Sequence, residues 1–464
     1  MAMSPGKRKA ALHSLGCKVN SYETEVMRQQ LEEAGYEIVP FEPGADVYVI
    51  NTCSVTNIAD RKSRQMLHRA RKMNPQAVIV AAGCYVQTAT DRDGLERDAD
   101  LILGNDRKQS LTACLEEFFR CREETAGEDK TPCVEQVVDI SRVRSVEPMF
   151  LSDVREHTRA YIKIQDGCNQ FCSYCIIPYA RGRVRSRDEE EILREIGAIA
   201  GFGVKEIVLT GIHISSYGTD TGTGLAGLLT RACEIPGIER IRLGSLEPGI
   251  ITESFVDTVR SLPKLCPHFH LSLQSGCDSV LKRMNRHYDT AAFEACCGLL
   301  RDAFDRPALT TDVIVGFPGE TEEEFACTEE FLRRIRLYET HIFRYSMRKG
   351  TRAAAMPDQI PEPVKAERSA RLAALDAENR RAFAAAREGE RTEVLFEEEV
   401  PGDSVGLAGA GKVYTGYTRE YIRAAMPADE KTGDLRNRIL FGTLTAPPVP
   451  GGPCLFLPEL AKPD

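Results

Sequence analysis

Short apolar runs alternate with amphipathic stretches over the first 130 residues or so, the pattern of repeated strand–helix units. Residues 10–15 are apolar and lead into Gly16-Cys17. Val47-Tyr48-Val49-Ile50 leads into Asn51-Thr52-Cys53, and residues 77–82 lead into Gly83-Cys84. After the first run, residues 22–34 space Tyr22, Val26, Leu31 and Ala34 roughly on one helical face and stop at Gly35. An open α/β domain is therefore predicted over 1–130. Ligands of such sheets bind at the C-terminal ends of the strands, where all three cysteines fall. A single strand-end cysteine is usually a small buried apolar residue. Three at the same topological position point to ligation.

Residues 131–157 are polar and aperiodic and read as a linker. From 158 to 388 strands alternate with helices again. The strand candidates are 161–164, 206–210, 240–243, 268–273, 311–316 and 340–343, with helical patterns such as 188–200 and 320–337 between them. Six steps predict a partial (β/α)6 barrel rather than a complete eightfold one. Residues 361–388 read as a long surface helix. Over 389–460 the texture changes to short alternating segments (392–396, 413–417, 420–424, 438–444) broken by Gly and Pro, which predicts a small β-barrel.

A chain of 464 residues is expected to hold about three domains. With 42% hydrophobic and 28% charged residues it has real cores. No run approaches the ~18–20 apolar residues of a membrane span, and the basic start leads into no apolar signal region. The net charge of −9 excludes a globally basic nucleic-acid coat but not a local basic face. The 16 cysteines change the picture most. A secreted disulfide scaffold would be short and loop-rich. So many thiols in a long α/β chain imply a reducing cytoplasm and metal ligation.

Cys168-x-x-x-Cys172-x-x-Cys175 directly follows the first strand of the middle domain. Three thiolates this close can hold three irons of a [4Fe–4S] cluster and leave the fourth open to an exogenous amine and carboxylate. Structural zinc normally takes four ligands, and a disulfide does not suit a reducing compartment.

With this triplet behind a βα-barrel strand, the chain resembles the radical S-adenosylmethionine (SAM) superfamily. Over nearly its whole length it resembles the methylthiotransferases within it. The resemblance rests on Leu15-Gly16-Cys17-Lys18-Val19-Asn20-Ser21-Tyr22-Glu23, Asn51-Thr52-Cys53, Gly83-Cys84 and Asp166-Gly167-Cys168-Asn169-Gln170-Phe171-Cys172-Ser173-Tyr174-Cys175. It implies that Cys17, Cys53 and Cys84 hold one [4Fe–4S] cluster, that Cys168, Cys172 and Cys175 hold the SAM-binding cluster, and that the C-terminal barrel is a TRAM domain. Cys17-Lys18-Val19-Asn20, Cys53-Ser54-Val55-Thr56-Asn57 and Arg61-Lys62-Ser63-Arg64-Gln65 look most like the MtaB subgroup. That subgroup converts N6-threonylcarbamoyladenosine at position 37, in the tRNA anticodon loop, to its 2-methylthio derivative. The sister types act on isopentenyladenosine in tRNA or on a ribosomal protein. The implied mechanism uses one SAM to methylate the cluster-borne sulfur and another to supply a radical that takes the C2 hydrogen; it needs a sulfur donor and an electron donor. The resemblance also implies a cytoplasmic enzyme, since the chain ends without the hydrophobic tail of a eukaryotic relative.

Thr210, Gly211, Ser245, Gln274 and Asp312 fall at or near the C-terminal ends of barrel strands and are the candidate SAM or substrate contacts, although each could be a cap or a satisfied strand-end residue. Gly316-Phe317-Pro318-Gly319-Glu320-Thr321 reads as a βα turn with a helix cap. For RNA, the acid-free runs are Arg61, Lys62, Arg64, Arg69, Arg71, Lys72 and Arg181, Arg183, Arg185, Arg187, with Tyr179 available to stack. Lys282, Arg283, Arg286 and Arg344, Arg348, Lys349 form two further groups. The C-terminal barrel is acidic, with 7 Lys/Arg against 10 Asp/Glu over 391–459, and Glu397-Glu398-Glu399 is expected to repel phosphate. Its candidate RNA patch is Lys412, Tyr414, Tyr417, Arg419, Tyr421 and Arg423. A non-catalytic RNA-binding Fe–S or zinc protein would explain the basic runs, but not two three-cysteine sets on strand ends.

Overall fold

The structure is a computed structural model that describes residues 7–89, 92–124, 134–155, 158–407, 409–429, 432–449 and 451–459. The N-terminal unit is a parallel sheet of β1 (Lys9–Ser14), β2 (Glu37–Ile38), β3 (Val47–Thr52), β4 (Val78–Gly83), β5 (Leu101–Leu103) and β6 (Val134–Gln136), ordered β2-β1-β3-β4-β5-β6. β3 and β4 are buried along their whole length, which is why both read as unbroken apolar runs. Register aligns Ser14 with Asn51 and Asn51 with Ala82, so the chain leaves three adjacent strands at one level. β6 lies in the stretch read as linker; it extends this sheet beside β5. Three residues were too few to show a period.

The middle unit contains β7 (Arg159–Asp166), the two-residue antiparallel β8 (Arg185–Ser186), β9 (Glu206–Gly211), β10 (Arg240–Leu243), β11 (His268–Gln274), β12 (Ala308–Val315) and β13 (Glu339–Arg344). β10-β9-β7-β8 and β11-β12-β13 form two sheets, joined by single bridges at Ile241–Leu265 and Leu246–Leu271. Six parallel strands thus curve into the expected partial barrel. Ile162, Ile207, Leu209, Ile241, Phe269, Leu271, Leu309 and Val313 point outward into the helix-covered core. The alternate residues point into the lumen and include Arg159, Glu206, Arg242, His270 and Asp312. Helix Glu322–Ile335 begins with a capping box between Thr321 and Glu324, as its turn sequence predicts. Helix Glu362–Ala385 packs along β13 and buries Leu372 and Leu375.

β14 (Arg391–Pro401), β15 (Lys412–Thr418), β16 (Arg423–Pro427), β17 (Arg438–Thr445) and β18 (Cys454–Pro458) close into a barrel, ordered β14-β15-β16-β18-β17. It sits under the N-terminal ends of the middle strands. Arg240 at the start of β10 reaches Glu393 at 2.9 Å and the Tyr417 carbonyl at 3.0 Å. Arg159 at the start of β7 pairs with Glu397 at 2.7 Å. Glu397 is therefore a docking residue, not a phosphate repeller.

Helix Lys18–Glu33 joins the first two units. Met27 and Leu31 belong to the N-terminal core, whereas Tyr22 and Val26 belong to the middle core, and Ala34 is exposed. The single apolar face expected over 22–34 is two faces serving two domains. Among the described residues no helix is long and apolar enough to cross a membrane.

Candidate active site

Cys17, Cys53 and Cys84 follow the ends of β1, β3 and β4 within three residues of each strand. They lie close enough for a thiolate at one to disfavour ionisation at another. Burial pushes the Cys53 thiol up to about 11. Cys17 is open to solvent, yet the protein crowding it raises its thiol too. The loops are tied by side chains from the same motifs. Asn20 Nδ2 donates to the Leu15 and Thr52 carbonyls at 2.7 and 2.9 Å, and Asn51 Nδ2 donates to the Asn20 carbonyl at 3.0 Å. Ser63 Oγ bonds both the amide and the carbonyl of Cys53. Gly16 has φ +102°, and a Cβ there would lie 2.6 Å from the Cys53 sulfur, so only glycine lets the first loop pass the second.

Cys168, Cys172 and Cys175 lie in the loop after β7, with the Cys175 amide donating to the Cys172 carbonyl at 2.9 Å. Burial raises the Cys168 thiol to about 11 and the Cys175 thiol to about 12. Gly167 enters this loop at φ +73°, and a Cβ there would sit 1.8 Å from the Arg183 carbonyl oxygen. Both sets are three unpaired soft donors without a fourth protein ligand in their motifs, which suits [4Fe–4S] with an open iron. Thiols held protonated must release protons when they ligate metal.

Charged donors aim at the sulfurs. Arg181 Nε and Asn105 Nδ2 reach Cys84 Sγ at 3.3 and 3.4 Å. Arg286 reaches Cys172 Sγ at 3.1 Å and Glu247 at 2.9 Å. Glu247 also accepts from Gln170 at 2.7 Å and faces His213 Nε2 at 2.9 Å. This second constellation, gathered from the loops after β7, β9, β10 and β11, had no signal in sequence spacing.

A cavity of about 220 Å³ opens between Cys175 and the loop that follows Cys53. Its walls include Val55 and Thr56 from the loop after Cys53, Tyr174 and Cys175 from the triplet, and Gln274, Asp312 and Phe343 from the barrel. Two expected contacts, Gln274 and Asp312, line it. Gln274 adopts φ +73° at the end of β11, a backbone state that non-glycine residues hold only under constraint. Asp312 also faces His270 Nε2 at 3.3 Å. Thr210 is buried, Gly211 packs against Gln165, and Ser245 is exposed at its strand end.

The arginine run after the triplet is not an RNA face. Arg181, Arg185 and Arg187 are buried. Arg181 and Lys108 pair with Glu23, Lys163 bridges Glu23 and Asp166, and Arg187 pairs with Glu195 at 2.6 Å. Arg181 finds its acid far away in sequence and Arg187 finds one on the following helix, pairings that spacing does not reveal. Arg183 and Tyr179 stay exposed. Arg283 is held by Glu324 at 2.6 Å, and Arg348 by Asp60 at 2.7 Å. Lys282, Arg344 and Lys349 are exposed. On helix Asn57–Met73, Arg61, Lys62, Arg64, Arg69 and Lys72 are exposed, whereas Arg71 pairs with Asp100 at 2.8 Å. The expected patch on the C-terminal barrel is mostly spent internally. Tyr414 is buried, Arg419 bonds the Pro263 and Leu265 carbonyls, and Lys412 pairs with Glu399. Tyr421 is sandwiched between Tyr417 and His268 at 4.4 and 4.9 Å. Arg423 is exposed, 3.6 Å from Glu398.

Residues 162–332 match the family described as the radical SAM superfamily, and residues 9–104 match the uncharacterized protein family UPF0004. The Bacillus subtilis protein named threonylcarbamoyladenosine tRNA methylthiotransferase MtaB is 40% identical over 422 residues, spanning 90% of each chain. This chain belongs to the radical SAM methylthiotransferase family. As a member it is a transferase with [4Fe–4S] clusters and SAM as cofactors. The Aquifex aeolicus protein of the same name is 40% identical over 84% of this methylthiotransferase and 93% of its own length. A Moorella thermoacetica protein named tRNA-2-methylthio-N(6)-dimethylallyladenosine synthase is 36% identical over 88% and 91%. Among solved structures, the radical SAM methyltransferase TsrM from Kitasatospora setae superposes with a TM-score of 0.51 at 16% identity, over 73% of this methylthiotransferase and 75% of TsrM. That likeness concerns the fold alone.

Proposed function

We propose that this protein converts N6-threonylcarbamoyladenosine beside the tRNA anticodon into its 2-methylthio derivative. Cys17, Cys53 and Cys84 hold one [4Fe–4S] cluster, Cys168, Cys172 and Cys175 hold the other, and Gln274 with Asp312 faces SAM or the base. Thr210, Gly211 and Ser245 border the same strand ends as secondary contacts. When bound, the two clusters and SAM supply sulfur, a methyl group and a radical able to take an unactivated C–H hydrogen.

The chain's own residues hold and orient. Arg286 and Arg181 donate N–H groups to Cys172 and Cys84, offsetting negative charge where thiolates gather. Asn20, Asn51 and Ser63 fix the loops that carry Cys17 and Cys53. Tyr174 and Phe343 line the cavity with aromatic surface.

The observation that carries this reading is a cavity walled both by the loop after Cys53 and by Cys175, which suits chemistry needing both thiol sets at one atom. The choice of nucleoside is supported by relatives of that name at 40% identity along nearly the whole chain. Exposed Val55 and Phe343 line the cavity, and Ile58, Tyr179 and Met347, exposed and a few residues from its lining in the chain, likewise suit unstacked loop bases; the basic face of helix Asn57–Met73 suits phosphates. The protein would act in the cytoplasm, where its tRNA substrate resides. Nucleoside mass spectrometry of tRNA from cells lacking the protein tests it. The 2-methylthio-N6-threonylcarbamoyladenosine peak should vanish and its precursor accumulate; an unchanged peak removes the assignment.

A further inference from the structure

Beneath the cavity, the barrel lumen carries a polar layer that holds neither thiol set. His270 on β11 offers Nε2 to Asp312 on β12 at 3.3 Å, while its Nδ1 bonds Thr310 Oγ1 at 2.9 Å. His341 on β13 lies beside Asp312 in register and stacks on His270 at 5.5 Å. Lys18, the residue after Cys17, opens helix Lys18–Glu33, which packs against β7 and β9 of the middle barrel. It lies within electrostatic reach of Asp312, Glu206, Arg159, Arg242 and His268. Lys18 is accessible to water although protein surrounds it, and among the described residues no hydrogen bond or ion pair holds its ammonium group. Glu206 is already claimed, by Arg242 at 3.0 Å and Arg240 at 3.6 Å. Asp312 also lines the cavity that Cys175 borders. The layer therefore spans from the neighbour of Cys17 to the cavity of Cys175.

Its donor balance is one-sided. Lys18 and His341 present N–H groups, and Asp312, held on one side by His270, is the carboxylate that faces them. A ligand with one carboxylate and one or two N–H or O–H donors would satisfy all of them. An apolar ligand would strip water from these groups and return no hydrogen bond, a penalty that selects against it.

We propose that Lys18, His270, Asp312 and His341 form the subsite for the N6 substituent of the target adenine. Lys18 and His341 take its carboxylate, and Asp312, oriented by His270, takes its amide N–H or hydroxyl. This rests on the reading of the protein as a tRNA methylthiotransferase and names what selects a threonylcarbamoyl over a dimethylallyl group.

The test compares two anticodon stem-loop RNAs that differ only in whether the threonyl group ends in a carboxylate or a carboxamide. Their binding to the cluster-loaded full chain is measured by fluorescence anisotropy, and methylthiolation is followed in parallel. Loss of a charge-assisted hydrogen bond predicts that the carboxylate RNA binds about tenfold or more tightly. In Lys18→Met and His341→Gln proteins that keep their iron and their melting temperature, that ratio should shrink toward one. Equal binding of both RNAs by the unaltered protein, with the carboxylate RNA still methylthiolated, would overturn the subsite. Methylthiolation of a dimethylallyladenosine RNA alone would overturn the substrate reading itself. A divalent ion at His270, Asp312 and His341, beyond the cluster iron and lost in His341→Gln, would also overturn the subsite. The comparison on unaltered protein does not depend on any variant folding.

Discussion

At the scale of single residues, the site is built from side chains that touch sulfur and side chains that hold the loops. Cys84→Ala removes one ligand of the N-terminal set. It should halve the iron of the reconstituted protein and abolish methylthiolation, while SAM cleavage with dithionite continues at the other set. Full methylthiolation by this variant would sink the two-cluster assignment. Glu23 binds Arg181, Lys108 and Lys163 where the first two units meet. Burial alone would raise its carboxyl, but these three cations outweigh it and hold it well below the usual carboxylate range. A depressed carboxyl stabilises the fold fully above its unfolded value, and that stability drains as pH falls from there toward the folded value. The melting temperature should therefore fall between about pH 5 and pH 3 through this network. Glu23→Gln, which leaves buried cations unpaired, should cost about 3–5 kcal/mol at neutral pH and flatten that slope. Calorimetry across the range reads both.

At the scale of elements, each loop that carries a cysteine is shaped by backbone as much as by side chains. Gly16→Ala introduces a Cβ against the Cys53 sulfur at a left-handed φ. Iron loading of the N-terminal set should drop while that of Cys168, Cys172 and Cys175 is retained, as Mössbauer spectra of the two populations would show. Helix Asn57–Met73 begins four residues after Cys53 and turns a basic face outward. Reversing Arg61, Lys62 and Arg69 to Glu should weaken tRNA binding at least tenfold at low salt. It should also lower the salt slope by about one for each phosphate no longer neutralised, measured by filter binding over a salt series. Arg185 and Arg187 look the same in sequence. They are buried, so their substitution should appear in the melting curve before it appears in the salt slope.

At the scale of the whole molecule, the acidic C-terminal barrel plugs the bottom of the middle barrel. Arg159, Arg240 and Arg242 are satisfied by Glu393, Glu397 and Glu206, by the Tyr421 hydroxyl and by the carbonyls of Glu393, Tyr417, Thr418 and Arg419. Deleting residues 389–464 should therefore destabilise the middle barrel, and Glu393→Ala alone should cost about 1–3 kcal/mol by removing the nearer of the two carboxylates on the buried Arg240. Urea titration followed by circular dichroism measures both. If the deletion leaves the midpoint unchanged and lowers only RNA affinity, the plug is a binding module instead.

What the sequence by itself determined is whatever local chemistry writes down. Apolar runs marked strands buried on both faces, glycines marked tight passages, and Cys168, Cys172 and Cys175 stood close enough in the chain to be read as one donor set. Cys17, Cys53 and Cys84 were legible one step further, because parallel neighbouring strands bring their ends to a common edge. The tertiary structure alone decided which charges stay free. An arginine pairs with whatever carboxylate the fold brings within reach, as Arg181 does with Glu23 and Arg348 with Asp60, and no spacing encodes a partner more than a hundred residues away. For the same reason Tyr22 and Leu31 of one helix serve two cores, and Lys18 comes within electrostatic reach of Asp312 on a barrel to which it does not belong.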